Sequence, residues 1–337
     1  MFVFSLVQLR LMQNKTVLVT GAAGFVASHL VDQLLHLGAK VVGIDNFITG
    51  KKANLVSALS KSNFQLIEAD VIQEPSSYLQ ATGSAKFDLI FHLASPASPP
   101  RYQEHPRETY RVNSLGTDRL LEFLKQTNPA GKFIYASSSE IYGEPLEHPQ
   151  KESYWGNVNP NGLRSCYDEG KRLGETICGV YSRDFGLDVR IARIFNTYGP
   201  RLDPDDGRVI SNFIKQALAS EKITIYGDGK QTRSYCYVSD LVTGLIALAL
   251  KPEAKGRTVN LGNPGEYTVE QTAQLVFQAV NRTEAKAELI YQPLPADDPT
   301  RRQPDINLAQ TLLSWQPQIS FEEGLLETIE WFKQKTV

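Results

Sequence analysis

Cysteine is scarce in this 337-residue sequence, and neither sign of charge is in excess. The three cysteines, Cys166, Cys178 and Cys236, have no paired spacing and form no C-x-x-C motif, which predicts reduced thiols in a cytoplasmic protein. The formal net charge of -2 provides no basic surplus for a nucleic-acid partner and no acidic tail typical of disorder. These absences favour an ordinary globular protein without nucleic acid as a partner.

Long hydrophobic runs are also absent. The first residues, "MFVFSLVQLRLMQNK", are apolar, but Gln8 and Arg10 interrupt them, and the run is too short to span a bilayer. The run lacks the basic start and the small-residue cleavage site of a signal peptide. We therefore expect residues 1–11 to be an extension before the first domain and expect no membrane partner.

Strand and helix patterns alternate through the first half of the chain. The run "KTVLVTGAAGF" predicts a strand and a glycine turn, Val26 to Leu37 a helix, and "AKVVGIDN" a second strand. "FQLIEAD", "FDLIFHLAS", "KFIYASSS" and "LDVRIARIFN" continue the strand series. This alternation predicts an α/β fold with a Rossmann-type, doubly wound parallel sheet.

The glycine turn indicates a dinucleotide site. Gly21 permits the tight turn, and Gly24 allows a pyrophosphate to approach the N-terminus of the helix. Ala27 stands where a third glycine is usual. Asp45, at the end of the next strand, is suited to bind the adenosine ribose hydroxyls and to repel a 2′-phosphate, so we expect NAD as the cofactor rather than NADP.

The alternation ends after Asn196, where Pro200, Pro204 and an acidic loop follow. A helix is predicted from about Val209 to Leu218. We therefore predict an NAD-binding domain over residues 12–195 plus about 235–262, and a smaller α/β substrate-binding domain over 196–234 plus 263–337. The smaller domain should cover the carboxyl ends of the strands, where open α/β sheets bind ligands.

A tyrosine and a lysine four residues apart suggest catalysis. On a helix Tyr167 and Lys171 share one face, and a nearby ammonium would lower the pKa of the phenol. An exposed helical pair would explain the spacing equally well if it stood alone. Upstream, however, a strand ends in Ser137, Ser138, Ser139 and Glu140, and a serine there can bind the alcohol that the tyrosine deprotonates.

Together these motifs resemble the extended short-chain dehydrogenase/reductase family of nucleotide-sugar epimerases and dehydratases, from Lys15 onward. The resemblance implies catalytic roles for Ser138, Ser139, Glu140, Tyr167 and Lys171. The implied cofactor-binding residues are Gly21, Gly24, Phe25, Val26, Asp45, Asn46, Asp70, Val71, Leu93, Ala94, Ser95, Tyr167 and Lys171. The implied substrate-binding residues are Asn113, Asn196, Arg208, Tyr226, Arg233 and Arg302, and no metal site is implied.

Two of these assignments have open alternatives. Tyr226 is suited to pack on a uracil ring, but an aromatic residue in "TIYG" also fits a core strand. Arg301 adjoins Arg302, and we favour Arg302 as the functional residue.

Longer stretches narrow the resemblance to the UDP-glucuronate decarboxylases. They are "ASPASPPRY", "SYWGNVNPNGLRSCYDEGKR", "RIFNTYGPR", "DGRVISNFI", "GDGKQTRSYCYVSDL" and "DDPTRRQPDI". The 4,6-dehydratases of the family carry Asp-Glu where Ser139 and Glu140 stand here, which favours decarboxylation over elimination of water. The implied reaction oxidises C4 of UDP-glucuronate, loses CO2 from the resulting β-keto acid and reduces the ketone to give UDP-xylose.

Other functions remain open at this stage. They are a 4,6-dehydratase or 4-epimerase of another nucleotide sugar, a bifunctional enzyme that releases a 4-keto pentose, and a non-catalytic NAD-binding scaffold. Apolar stripes on the helices Val112 to Leu124 and Glu169 to Tyr181 would form a four-helix interface in this family, so we expect a homodimer. Both stripes could instead pack within one chain.

Overall fold

The computed structural model describes residues 11–80 and 86–336. Residues 1–10 of the predicted N-terminal extension lie outside the described residues. The strands are β1 (Thr16–Thr20), β2 (Lys40–Asp45), β3 (Phe64–Glu68), β4 (Leu89–His92), β5 (Lys132–Ser138), β6 (Asp188–Ile194), β7 (Thr197–Tyr198), β8 (Ile223–Tyr226), β9 (Thr232–Ser234), β10 (Cys236–Tyr237), β11 (Thr258–Leu261), β12 (Glu266–Thr268) and β13 (Leu289–Gln292).

The helices connect and flank these strands. They are α1 (Phe25–His36), α2 (Val56–Leu59), α3 (Pro75–Leu79), α4 (Pro99–Glu104), α5 (Pro106–Arg111), α6 (Thr117–Thr127), α7 (Ser165–Asp184), α8 (Val209–Leu218), α9 (Val238–Leu250), α10 (Val269–Asn281) and α11 (Phe321–Thr336). Short 3-10 helices cover Lys52–Leu55, Ser139–Tyr142 and Pro252–Ala254, and π-helical turns cover Val112–Gly116 and Ala309–Leu313.

Seven strands form one parallel sheet in the order β11-β6-β5-β4-β1-β2-β3. Both faces of this sheet are covered, which explains why its strands are apolar on both sides. In β1, Val17 and Val19 pack into the core that includes α1 and α9, whereas Leu18 packs into the core that includes α6. The predicted doubly wound α/β fold is confirmed.

The rest of the chain forms a smaller unit with its own apolar core. Three short strand pairs belong to it or join it to the sheet: β7 with β10, β9 with β12, and β8 with β13. Phe213 of α8, Ala273 of α10 and Leu325 of α11 meet in that core. Two separate segments of the chain form this unit, and α9 and β11, which lie between them in sequence, belong to the main sheet and its flanking layer. The carboxyl ends of β1, β4, β5 and β6 therefore open toward the smaller unit.

Candidate active site

A cavity of about 630 Å³ lies between the carboxyl edge of the sheet and the smaller unit. Most of the residues singled out from the sequence line its wall. They are Gly21, Gly24, Phe25, Val26, Leu93, Ser95, Ser138, Ser139, Glu140, Tyr167, Lys171, Asn196, Arg208, Tyr226, Arg233 and Arg302. Arg302 is 1% exposed in this wall, and Arg301 lies at the surface.

The glycine turn after β1 leaves no room for a side chain at Gly21. Gly21 has φ of +69°, and a Cβ atom there would lie 2.8 Å from the Cα of Ala94. The Gly24 N–H donates to the Gly21 carbonyl at 2.9 Å, and no side chain caps the N-terminus of α1. Ala27 is accommodated in the core at 3% exposure. The turn thus presents the uncapped N-terminus of a helix to the cavity, which suits a pyrophosphate.

Asp45 ends β2 but does not line the cavity. Its Oδ2 accepts a hydrogen bond from the Ala23 N–H at 2.8 Å, and its Oδ1 accepts one from the Phe47 N–H at 2.7 Å. A Cβ atom on Gly50 would lie 2.7 Å from Oδ1, so the following loop packs directly on the carboxylate. Burial raises the pKa of Asp45, and the two backbone donors oppose this shift. The carboxylate is thereby held at the expected strand end, beneath the loop.

The other predicted residues outside the cavity wall lie around the same edge. The side chain of Asn46 donates to Asp70 Oδ2 at 3.2 Å, which joins the ends of β2 and β3. Val71 is buried in the core, and Ala94 contacts Gly21 through its backbone. These contacts support the shape of the edge, and none of them places a side chain in the cavity.

The sequence predicts that Asn113 contacts the substrate. It is fully buried, and its side-chain amide donates to Ser95 Oγ at 2.9 Å and to the Thr109 carbonyl at 2.8 Å. Its Oδ1 accepts from the Tyr135 hydroxyl at 3.3 Å. Protein partners therefore occupy the amide, and Asn113 supports Ser95, which lines the cavity; the contact of Asn113 with the substrate stays a prediction.

Tyr167 and Lys171 share one face of α7, and Lys171 Nζ lies 5.6 Å from the centre of the tyrosine ring. Both side chains are buried, and Nζ donates to the Ala136 carbonyl at 2.7 Å. Burial raises the pKa of Tyr167 to about 12, although a hydrogen bond with Ser138 lowers it. Burial also lowers the pKa of Lys171 to about 7. Burial is thus the largest influence on the pKa of Tyr167 in the protein alone, and it acts against the lowering that the sequence predicts.

Ser138 and Glu140 begin the turn that follows β5. Ser138 Oγ accepts a hydrogen bond from the Glu140 N–H at 3.2 Å and faces the cavity. The neighbouring Ser137 also belongs to the cavity wall, but its hydroxyl donates to Glu175 at 2.5 Å. Since side chains alternate along a strand, Ser137 and Ser138 lie on opposite faces.

Three arginines and two carboxylates form one chain of ion pairs at the Glu140 end of the cavity. Glu140 Oε2 lies 2.6 Å from Arg164 and 3.5 Å from Arg302, and Asp298 joins Arg164 at 3.0 Å to Arg233 at 2.7 Å. Arg302 also donates to the Ser139 and Gly143 carbonyls. Burial alone would raise the pKa of Glu140, but the surrounding guanidinium groups reverse that and hold it below its usual range. Glu140 is therefore an anion at neutral pH.

Two of these arginines have a free donor. The Nε atoms of Arg164 and Arg302 are buried and have no hydrogen-bond acceptor among the described residues. Both arginines line the cavity. A buried donor without a partner costs about 1–3 kcal/mol. The guanidinium groups of both residues contribute positive charge to the cavity wall, which suits an anionic group of a ligand.

Tyr102, Arg164 and Asp298 were not identified from the sequence. Tyr102 of α4 stacks on Tyr167 with ring centres 5.0 Å apart and planes 9° apart. Its buried hydroxyl has no partner among the described residues. Arg164 precedes Tyr167 by three residues, a helical spacing that could have signalled it. Nothing in the local sequence pairs Asp298 with Arg233.

The cavity wall also includes Asn196, Arg208 and Tyr226. Arg208 stands just before α8, pairs with Asp206 and lies within electrostatic reach of Tyr167 and Glu140. Tyr226 ends β8 and is 44% exposed, so it is not a core residue of that strand. A guanidinium and an exposed aromatic ring in one cavity wall suit a nucleoside diphosphate.

Within residues 11–80 and 86–336, no helix is long and apolar enough to cross a bilayer. The same ranges contain no group of His, Cys, Asp and Glu side chains placed to hold a metal ion. All three cysteines are free thiols.

Residues 17–262 match the model of the NAD dependent epimerase/dehydratase family. The chain is 50% identical over 319 residues to UDP-glucuronic acid decarboxylase 1 of Arabidopsis thaliana, covering 95% of this chain and 70% of the relative. It is 48% identical over 322 residues to UDP-glucuronic acid decarboxylase 1 of Xenopus tropicalis, covering 96% and 73%. Among solved structures, UDP-glucuronic acid 4-epimerase of Bacillus cereus with UDP-glucuronic acid and NAD superimposes with a TM-score of 0.84 at 32% identity, covering 95% of this chain and 99% of that one.

Proposed function

The chain belongs to the NAD dependent epimerase/dehydratase family, and from this premise we propose that it converts UDP-glucuronate into UDP-xylose and CO2. It is an NAD-dependent enzyme of the UDP-glucuronate decarboxylase type. The observation that carries the substrate is the cluster of Arg164, Arg233 and Arg302 in the cavity wall, whose three guanidinium charges exceed the two carboxylates paired with them and so fit a sugar with a C5 carboxylate.

The residues around the glycine turn fit NAD. A Cβ atom at Gly21 would collide with the backbone at Ala94, so only glycine allows the turn to pack this closely against the end of β4. The uncapped N-terminus of α1 supplies backbone donors. NAD, when bound, supplies a two-electron acceptor at C4 that is restored before the product leaves, so no cofactor is consumed.

Tyr167 and Ser138 act at the C4 oxygen in this proposal. Tyr167 takes the proton of the C4 hydroxyl as a phenolate, which the positive charge of bound NAD would favour against the effect of burial, and Ser138 hydrogen-bonds the same oxygen. The resulting 4-ketone lies β to the carboxylate, so the C5–C6 bond can break with its electrons moving onto the C4 oxygen while CO2 leaves. The proximity of the Ser138 hydroxyl to Tyr167, and its hydrogen bond to that phenol, support this pairing.

Glu140 acts as an anion in this reaction. Its lowered pKa leaves no proton to donate at neutral pH, because guanidinium groups surround it. Its role is to hold Arg164 and Arg302 in place beside C5 and C6. Arg208, Asn196 and Tyr226, which also line the cavity, bind the UDP portion in this proposal.

The enzyme acts as a homodimer in the cytoplasm in this proposal. Tyr110 of α5 and Leu173 of α7 are 47% and 48% exposed, and Gly170 of α7 lies against Tyr110, so two helices that contact each other each expose an apolar side chain. Burial of these side chains against a second copy would support the dimer, and the free thiols support a reducing compartment. Light scattering at low protein concentration tests the dimer, and a stable monomer would contradict it.

The reaction is tested by NMR of the products formed from UDP-glucuronate and catalytic NAD. UDP-xylose is expected, with Tyr167→Phe as the inactive control. UDP-galacturonate without CO2 would instead identify a 4-epimerase, the activity named for the similar Bacillus cereus enzyme. A 4-keto-6-deoxy sugar formed from a nucleoside diphosphate glucose would identify a 4,6-dehydratase.

A further inference from the structure

Asp168 is a buried carboxyl without a partner, directly beside Tyr167. It is 6% exposed, and its Oδ1 has no hydrogen bond among the described residues. No ion pair within residues 11–80 and 86–336 includes it. It does not line the cavity. The reaction as described does not use this group, yet an unpaired carboxyl in a buried position is costly.

Asp168 lies next to the chain of ion pairs that faces the substrate. Electrostatic contacts reach it from Glu140, Arg164 and Arg302. Tyr102 faces it from α4, and the neighbouring groups of its own helix are Cys166, Tyr167 and Glu169. Burial is the largest cause that raises the pKa of Asp168, and the charge of Glu140 adds to it.

The charge of the arginine cluster depends on this proton. Arg164, Arg233 and Arg302 contribute three positive charges, while Glu140 and Asp298 contribute two negative ones, which leaves +1. With Asp168 protonated, the net charge of +1 matches one substrate carboxylate. With Asp168 ionised, the cluster is neutral before the substrate arrives.

We propose that Asp168 is a positioning residue whose neutral carboxyl reserves one positive charge of the arginine cluster for the substrate carboxylate. This inference rests on the proposed function. It means that ionisation of Asp168 weakens binding of UDP-glucuronate and leaves binding of UDP-xylose, which has no carboxylate, nearly unchanged.

The test measures the dissociation constants of both ligands by calorimetry at about pH 7 and about pH 9.5. The protein is loaded with NADH, so that UDP-glucuronate binds without being oxidised. The quantity compared is the ratio of the UDP-glucuronate constant to the UDP-xylose constant, because titration of the shared uracil ring cancels in it. The variants are Asp168→Asn and, as a control with the same charge change at the exposed end of α7, Asp184→Asn.

The ratio should rise about tenfold with pH in the wild type and in Asp184→Asn, and less than about twofold in Asp168→Asn. Lys171 also titrates near this pH range, since burial lowers its pKa to about 7. Any contribution of Lys171 to the ratio is retained in Asp168→Asn, so the difference between the two proteins reports Asp168. If the wild-type ratio does not change with pH, the inference is overturned while the proposed function remains valid. This result does not depend on whether a variant folds. An undiminished rise in Asp168→Asn also overturns it. Binding of UDP-xylose without any binding of UDP-glucuronate removes the proposed function and this inference together.

Discussion

Replacing Glu140 by glutamine should destabilise the free protein and strengthen its preference for a carboxylate ligand. The substitution keeps the shape of the side chain but removes the anion that lies 2.6 Å from Arg164 and 3.5 Å from Arg302. The remaining cluster has three guanidinium groups and one carboxylate, Asp298. Breaking one partner of a buried ion pair costs about 3–5 kcal/mol, and the retained amide oxygen places this case near the lower value.

The carboxylate of UDP-glucuronate can replace part of the missing charge. We therefore expect Glu140→Gln to lose turnover while its affinity for UDP-glucuronate relative to UDP-xylose rises about tenfold, or about 1.4 kcal/mol. Urea unfolding with and without each ligand measures both effects, and Glu147→Gln, exposed in the loop that follows, serves as the charge-matched control. A variant as stable as the wild type, with an unchanged ligand preference, would refute the role given to the arginine cluster.

Three further changes test other parts of the site. Tyr167→Phe removes one hydroxyl and should abolish turnover with little change in NAD or UDP-sugar binding. If the variant retains more than about one tenth of the wild-type rate, which corresponds to a change in activation free energy of less than about 1.4 kcal/mol, Tyr167 is not the base. Asp45→Asn should narrow the preference for NAD over NADP by about tenfold in fluorescence titrations, because the carboxylate no longer repels a 2′-phosphate, and an unchanged preference would contradict its placement at the ribose. His92 is buried, and burial with the charge of Lys171 lowers its pKa from 6.5 to about 3, so stability present above pH 6.5 should be lost as the pH falls toward 3. That loss is up to about 1.4 kcal/mol per pH unit, and His92→Gln should reduce the slope of unfolding free energy against pH by up to one proton.

The sequence predicted the parts of the structure that depend on local patterning. Alternating apolar strands and helices gave the order of elements, and the glycine turn before α1 required no knowledge of distant residues. The common face of Tyr167 and Lys171 followed from helical spacing alone. These features are set by residues close together in the chain, so a single sequence is enough to infer them.

The features that local patterns did not reveal are burial and long-range pairing. The spacing of Tyr167 and Lys171 did not reveal that both side chains are enclosed, and enclosure raises the pKa of the phenol. Asn113 has a polar side chain on a helix beside the site, but its partners Ser95 and Tyr135 come from other elements. Pairings of this kind depend on tertiary packing, which leaves no local pattern.

Glu140, Arg233 and Arg302 were predicted one by one, but their pairing with Arg164 and Asp298 escaped prediction for the same reason. The members of the arginine cluster come from the turn after β5, the start of α7, β9 and the loop before the final helices. Arg164 and Asp298 meet across 134 positions of the chain. Only the folded structure shows that these charges form one network with a net positive charge.

The central claim is decarboxylation at C5, and deuterium incorporation tests it most directly. UDP-glucuronate is incubated in D2O with the enzyme and substoichiometric NAD, and the products are followed by proton NMR and by measurement of released CO2. Loss of the carboxylate leaves C5 to take one hydrogen from a solvent-exchangeable group, so each UDP-xylose should carry a single deuterium at C5 for each CO2 released, with many turnovers per NAD. A UDP-hexuronic acid product that retains its carboxylate, with no CO2 released, would contradict the account.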